Sequence, residues 1–186
     1  MKKLLILSLV MLSAFAGQAQ TEKTAPTLEI EVDPVAYILS GYSFHAIYQP
    51  GRFRFDAAVF GIMIPESFHG NKGFKVNMNG FGIKAHYLVK GTRGLFAGIG
   101  TGYITTNVTL EESGEKQTGG AIGIGPEVGY RIFFQKPVDG RQKGFYLSPW
   151  MGLSYNFIPD KINFRNHGYK EQRWTFFPTI HIGYRF

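Results

Sequence analysis

Three histidines, His45, His86 and His181, are the natural acid–base candidates of this chain, because imidazole titrates near neutrality. Ser43 and His45 stand two apart, so an extended strand would project both from one side, as a nucleophile–base pair for acyl transfer requires. Cysteine is absent, which removes thiolate nucleophiles, thiolate metal sites, disulfides and a cysteine-linked lipid anchor. His69 and His167 fall between regular segments, and two lone loop histidines do not make a metal site. Gly98-Ile99-Gly100-Thr101-Gly102 and Gly123-Ile124-Gly125 imitate phosphate loops, but no helix pattern follows either. Glycine at alternate positions instead opens space on one face of a strand. No cofactor is expected, and no metal.

The elements that position these residues are strands. Trp174, Phe176, Pro178, Ile180, Ile182, Tyr184 and Phe186 share one side of an extended segment, while Thr175, Phe177, Thr179, His181, Gly183 and Arg185 share the other. The same period of two runs from Ile122 to Phe134 and from Phe145 to Phe157. The second side carries glycine, serine and alanine with a few charges, which suits the narrow interior of a small barrel. The apolar sides are tipped with aromatics, as at a membrane interface. Tyr48, Phe53, Tyr87, Phe134, Phe145 and Tyr184 would form one rim, and Tyr103, Tyr155, Phe157 and Trp174 the other.

Turn residues cut the chain into strands at about 26–33, 42–49, 52–64, 74–90, 94–109, 118–135, 144–157 and 174–186. Three short turns alternate with four longer connections. The fold class is therefore all-β, an eight-stranded antiparallel up-and-down transmembrane β-barrel. The first hairpin has two readings. Asp33-Pro34 opens a short capped helical turn, or Val35 to Tyr48 is one long strand. Eight strands are preferred, because a closed barrel leaves no backbone edge in lipid.

The first residues read as an export signal. Met1-Lys2-Lys3 is basic, Leu4 to Ala16 is apolar or small, and Gly17-Gln18-Ala19 ends on small residues at −3 and −1. Cleavage is expected after Ala19, leaving a barrel domain of residues 20–186. Loss of Lys2 and Lys3 lowers the formal charge from +7 to +5.

On these residues the chain resembles the small eight-stranded outer-membrane barrels, the size class of the OmpA transmembrane domain, OmpX and OmpW. The resemblance covers nearly all of 20–186. It rests on the export signal, the strand count and the terminal Tyr184-Arg185-Phe186. It implies outer-membrane localisation in a Gram-negative cell envelope, with Tyr184 and Phe186 read by the barrel assembly machinery. The Ala19–Gln20 junction is similar to export signals common in Bacteroidota. Fold alone implies no activity. PagL-type deacylases resemble the chain in size and compartment, but their His-x-Ser-Asn run is missing, and no PagP-type acyltransferase motif matches.

Strand parity then gives an interior. Glu29, Glu31, Asp33, Asp56 and Glu127 point in, as do Arg52, Arg54, Lys84, Arg131 and Arg185, together with the three histidines. One reading is a paired, hydrogen-bonded plug. The other is a binding or catalytic pocket near one mouth, with His45 or His86 as the acid–base group. The expected function is a non-enzymatic envelope protein with a polar, plugged lumen, acting through its outer loops. A barrel enzyme acting on membrane lipid and a narrow conduit for small apolar molecules are the alternatives. Expected partners are outer-membrane lipid and lipopolysaccharide, met by Lys161, Arg165, Lys170 and Arg173; nucleic acid is not one, and the protein is expected to be a monomer.

Overall fold

The computed structural model describes residues 25–138, 141–157, 161–165 and 167–186. The export segment with its Ala19 junction and the Asp139-Gly140 turn lie outside the described residues. Eight strands follow in order: β1 (Thr27–Val32), β2 (Tyr42–Gln49), β3 (Phe53–Ile64), β4 (Phe74–Lys90), β5 (Arg93–Leu110), β6 (Lys116–Phe133), β7 (Gly144–Phe157) and β8 (Trp174–Arg185). Each pairs antiparallel with the next, and β8 returns to β1 to close the barrel. The sequence-derived bounds agree with these to within two residues.

The first hairpin is the capped version. A helical turn, α1 (Pro34–Ile38), opens with the Asp33 carboxylate accepting from Val35 N at 2.9 Å. Pro34 fits the first helical position, whose N–H would have no partner within the helix. The exit from α1 presses against β3. Leu39 O accepts from Met63 N, and a side chain on Gly41 would collide with Gly61 O. A second short turn, α2 (Glu66–His69), follows β3.

The wall is uneven. β5 and β6 have 18 residues each and β1 has 6. At their loop ends, β4 and β5 carry Phe74, Val76, Val108 and Leu110, against which Ile162 and Phe164 of the last loop pack. The described residues of that loop, 161–165 and 167–173, fold over one end of the barrel as a lid.

Outward positions are mostly apolar and exposed, from Leu28 and Ile30 on β1 to Ile180 and Ile182 on β8, with Asn77, Asn79, Thr105, Asn107 and Thr109 toward the loop ends of β4 and β5. Among the described residues, charged groups on the outward faces stand at strand ends: Lys75 and Lys116 at the loop end, Lys90 and Arg93 at the turn end. Inward glycines make room for large neighbours. A side chain on Gly183 would strike the Tyr146 ring, and one on Gly129 would strike Phe96 and Trp150.

Tyr146 cannot yield, because its hydroxyl is tied to two carboxylates. Gly183→Val is therefore expected to destabilise the barrel by about 1–3 kcal/mol. Gly168→Ala, where nothing lies within 4 Å, should change the urea unfolding midpoint little.

Candidate functional site

The turn half of the lumen is filled by a charge network. Glu29, on β1, accepts from Arg131 of β6 at 2.8 Å, from Arg185 Nε of β8 at 2.7 Å and from the Tyr146 hydroxyl of β7 at 2.6 Å. Gln49 Oε1 accepts from both arginines, at 2.6 and 2.8 Å. Thr92 O, in the β4–β5 turn, accepts from the same two at 2.7 and 2.9 Å. The preceding Gly91 has φ 61°, a conformation that glycine adopts without the clash a side chain brings, and this turn puts the carbonyl against the lumen.

One step further in, Glu31 pairs with Arg54 at 2.8 Å and accepts from the Tyr146 hydroxyl at 2.8 Å. Asp56 lies 3.7 Å from Arg54 and accepts from His45 Nδ1 at 3.0 Å. Glu127 faces Lys84 at 3.5 Å and His86 Nε2 at 2.7 Å. Lys84 Nζ also sits 3.6 Å from the centre of the Trp150 ring. Asp33, besides capping α1, accepts from the Thr179 hydroxyl at 2.8 Å.

The partners fix two tautomers. Trp150 can only donate, so its N–H at 2.9 Å makes His181 Nε2 an acceptor. The proton is then on Nδ1, which donates to Glu31 at 2.9 Å. Arg54 likewise donates to His86 Nδ1 at 2.9 Å, so His86 Nε2–H donates to Glu127. Both rings have both nitrogens engaged. Glu31, His45 and His181 bring ligand-type atoms within 4.8 Å of one another, but Glu31 and His181 bond each other, His181 accepts from Trp150, and His45 Nδ1 is turned to Asp56.

The structure thus brings together His45, Arg54, Asp56, Lys84, His86, Glu127, Arg131, His181 and Arg185. Arg52 lies nearer the turn end, with Nη1 3.4 Å from the Tyr87 hydroxyl. Sequence reasoning did not single out Tyr146, Gln49, Trp150 or Thr179. Their parity on β2, β7 and β8 was the available signal. Nor is the lumen polar throughout. Its loop half is lined by Ile62, Val76, Met78, Ile104 and Phe177. Residues 57–64 are apolar on both faces of β3 apart from one glycine, and this broken alternation marks an apolar interior.

Tyr184 and Phe186 lie on the outward face of β8, where Phe186 N donates to Leu28 O and the two rings meet edge to face at 5.0 Å. The lid is pinned by side chains that mimic backbone. Asn71 donates to Lys170 O and accepts from Lys170 N, and Gln172 donates to Phe68 O. Comparison with known proteins found no family model, curated protein or solved structure that matches the chain.

Removing the carboxylate from the turn-end node leaves two buried arginines with a neutral neighbour. Glu29→Gln is expected to cost about 3–5 kcal/mol in urea unfolding. Glu127→Gln, at a side chain 11% exposed, should cost clearly less. Equal costs would refute the node.

The lid has a pH dependence. Burial holds His69 below the ordinary 6.5, against the opposing pull of Glu66. Its Nδ1 accepts from Asn71 N at 3.1 Å, a bond that protonation at Nδ1 abolishes. A lowered value in the folded state means this contribution is full above 6.5 and fades as pH falls through the lowered value. Amide exchange at Asn71, corrected for its intrinsic pH dependence, should therefore quicken in mild acid and stay flat in His69→Gln.

Proposed function

We propose that the chain is an integral outer-membrane β-barrel protein, exported by residues 1–19, that works without catalysis in envelope structure or surface contact through its loop end. The observation that carries this reading is the outward face of the closed barrel. From Phe81 to Val89 on β4 and from Leu95 to Tyr103 on β5 the outward positions hold no charge. Each of these stretches has nine residues, the length at which a tilted strand crosses the hydrocarbon core. A water-facing surface of this composition would associate. Closure of the ring also pairs most of the backbone groups that lipid cannot solvate.

Aromatic pairs sit at the two borders, Phe53 against Tyr87 at one and Tyr155 against Trp174 at the other. Lys161, Arg165, Lys170 and Arg173 are exposed on the lid, where lipopolysaccharide phosphates would meet them. Tyr184 and Phe186, at the closing seam, are the residues we assign to recognition by the barrel assembly machinery. Two features favour a plug over an enzyme or an axial conduit. His86 and His181 have no free ring nitrogen to serve as a base, and the arginine–carboxylate node at the turn end is buried from both sides.

Spin labels at Ile124, Leu153 and Ile180 in reconstituted protein should relax with lipid-dissolved oxygen and resist a water-soluble relaxant. Recovery of the protein in the soluble periplasm, with labels that sense water, would refute membrane insertion.

A further inference from the structure

The exposed charges are sorted between the two ends of the barrel. Among the described residues the exposed acidic side chains, Glu66, Glu111, Glu112 and Glu115, all stand at the loop end. The turn end carries exposed Lys90, Arg93, Lys136, Arg141 and Lys143. None of these has an ion pair with a described residue, the carboxyl terminus included. Asp139 is the one acid of the sequence between Phe133 and Gly144, and it lies outside the described residues.

These cations oppose one another. The backbone pairs Lys90 with Arg93 across the β4–β5 turn. On the next hairpin, Phe134 N donates to Phe145 O, and Val138 and Arg141 exchange both backbone bonds, at 3.0 and 2.9 Å. Between those two rungs the register sets Lys136 opposite Lys143. Like charges directly across a ladder repel and destabilise it. β5 pairs with β6, so the two repulsive pairs stand on neighbouring hairpins. With no described carboxylate beside them, they leave a place for an anion from outside the chain.

Their direction selects the anion. Phe134 and Phe145 are exposed on the outward face, and by alternation Lys136 and Lys143 stand on that face two residues nearer the turn. Two residues of strand advance about 7 Å, which carries the ammonium groups from the aromatic border to the level of lipid phosphates. A soluble acidic partner would meet the turns along the barrel axis. These side chains stand on the flank instead, where a bilayer leaflet meets the barrel.

We propose that the outward cations of the β4–β5 and β6–β7 hairpins hold the phosphodiester headgroups of anionic phospholipid in the leaflet at the turn end. Each cation pair clasps one phosphate, which turns a repulsive rung into a bridged one. The proposal rests on the membrane reading above and adds a lipid class and a leaflet. It is separate from the lid cations at the opposite end, where acids and bases are mixed. A zwitterionic headgroup brings its own ammonium and competes poorly.

The test uses ¹⁵N-labelled protein in phosphatidylcholine nanodiscs, into which phosphatidylglycerol is substituted stepwise. Amides of Arg93, Lys136, Arg141 and Lys143 should shift saturably, with a preference over phosphatidylcholine of about fivefold that falls in high salt. Amide exchange at Val138 and Arg141 reads the repulsion. In phosphatidylcholine alone, Lys136→Gln with Lys143→Gln should slow that exchange about twofold to fivefold, because the repulsion is gone. In phosphatidylglycerol the same change should hasten it, because the bridging phosphate is gone. Lys136→Arg with Lys143→Arg should leave both rates as they were. Exchange that moves in the same direction in both lipids would overturn the clasp. Inorganic phosphate or a polyglutamate peptide, added to phosphatidylcholine discs, should reproduce none of the shifts, and a matching response to either would overturn the lipid assignment. Embedded protein whose turn-end amides ignore phosphatidylglycerol would overturn this proposal alone. Failure to enter nanodiscs at all would instead strike the membrane reading.

Discussion

Closure between β1 and β8 is the constraint on which the barrel depends, and it is made by few residues. Four paired positions and the Phe186–Leu28 bond join the ends of the sheet. Two unpaired edges would otherwise face their surroundings, and in lipid each orphan backbone group costs several kcal/mol. β1 is too short to hold this seam by its ladder alone. The interior supplies the rest. Glu29 reaches β6, β7 and β8, and Glu31 reaches β3, β7 and β8. The weakest strand is thus fastened from inside to four of the others. Inward glycines on β6 and β8 leave the volume that Trp150, Phe96 and Tyr146 need to share this interior.

The same short strand divides the lumen in chemistry. Where β1 exists, the interior is charged, paired and closed. Where it stops, the interior turns apolar, a cavity opens, and a single helical turn stands in for the missing wall. α1 is held by the Asp33 cap at its start and by the Leu39–Met63 bond at its end, with no ladder to β8 between them. A wall segment secured at its ends is the part of a barrel best suited to yield locally while the ring stays intact.

Much of this was legible in the sequence, and what was not has physical causes. Strand positions followed from the period of two, and the parity that set Ile180 outward also set His181 and Arg185 inward. Asp33-Pro34 offered the capped turn as one of two readings of the first hairpin, because a short acid before a proline suits a helix start, and the long strand from Val35 to Tyr48 was the other. The network's members were readable but not its wiring. Parity says which side a residue faces, and only the ring's closure puts Arg131 of β6 beside Glu29 of β1, 102 positions apart. Tyr146 was overlooked because an aromatic on the inner face looks like an exception until Gly183 opposite it is seen as its socket. The apolar cavity was missed for the opposite reason. Residues 57–64 lack alternation, and a segment apolar on both faces gives no parity to read.

A buried ion pair is a poor source of stability, since apolar residues of the same volume often do as well or better. The network must be explained by what apolar packing cannot provide. A slip of β1 by one residue would turn Leu28, Ile30 and Val32 inward, and alternation already forbids it. A slip by two keeps every apolar residue outside and every acid inside, so hydrophobicity does not oppose it. The charges do. Glu29 meets two arginines, a tyrosine hydroxyl and no imidazole, while Glu31 meets one arginine, the same hydroxyl and His181. Shifting the strand by two gives each carboxylate the other's surroundings or none, and strands a buried arginine without its carboxylate. The inner charges thus do for register what the outer aliphatics do for facing. A strand of six residues needs both, because its end decides where the wall stops and the cavity begins.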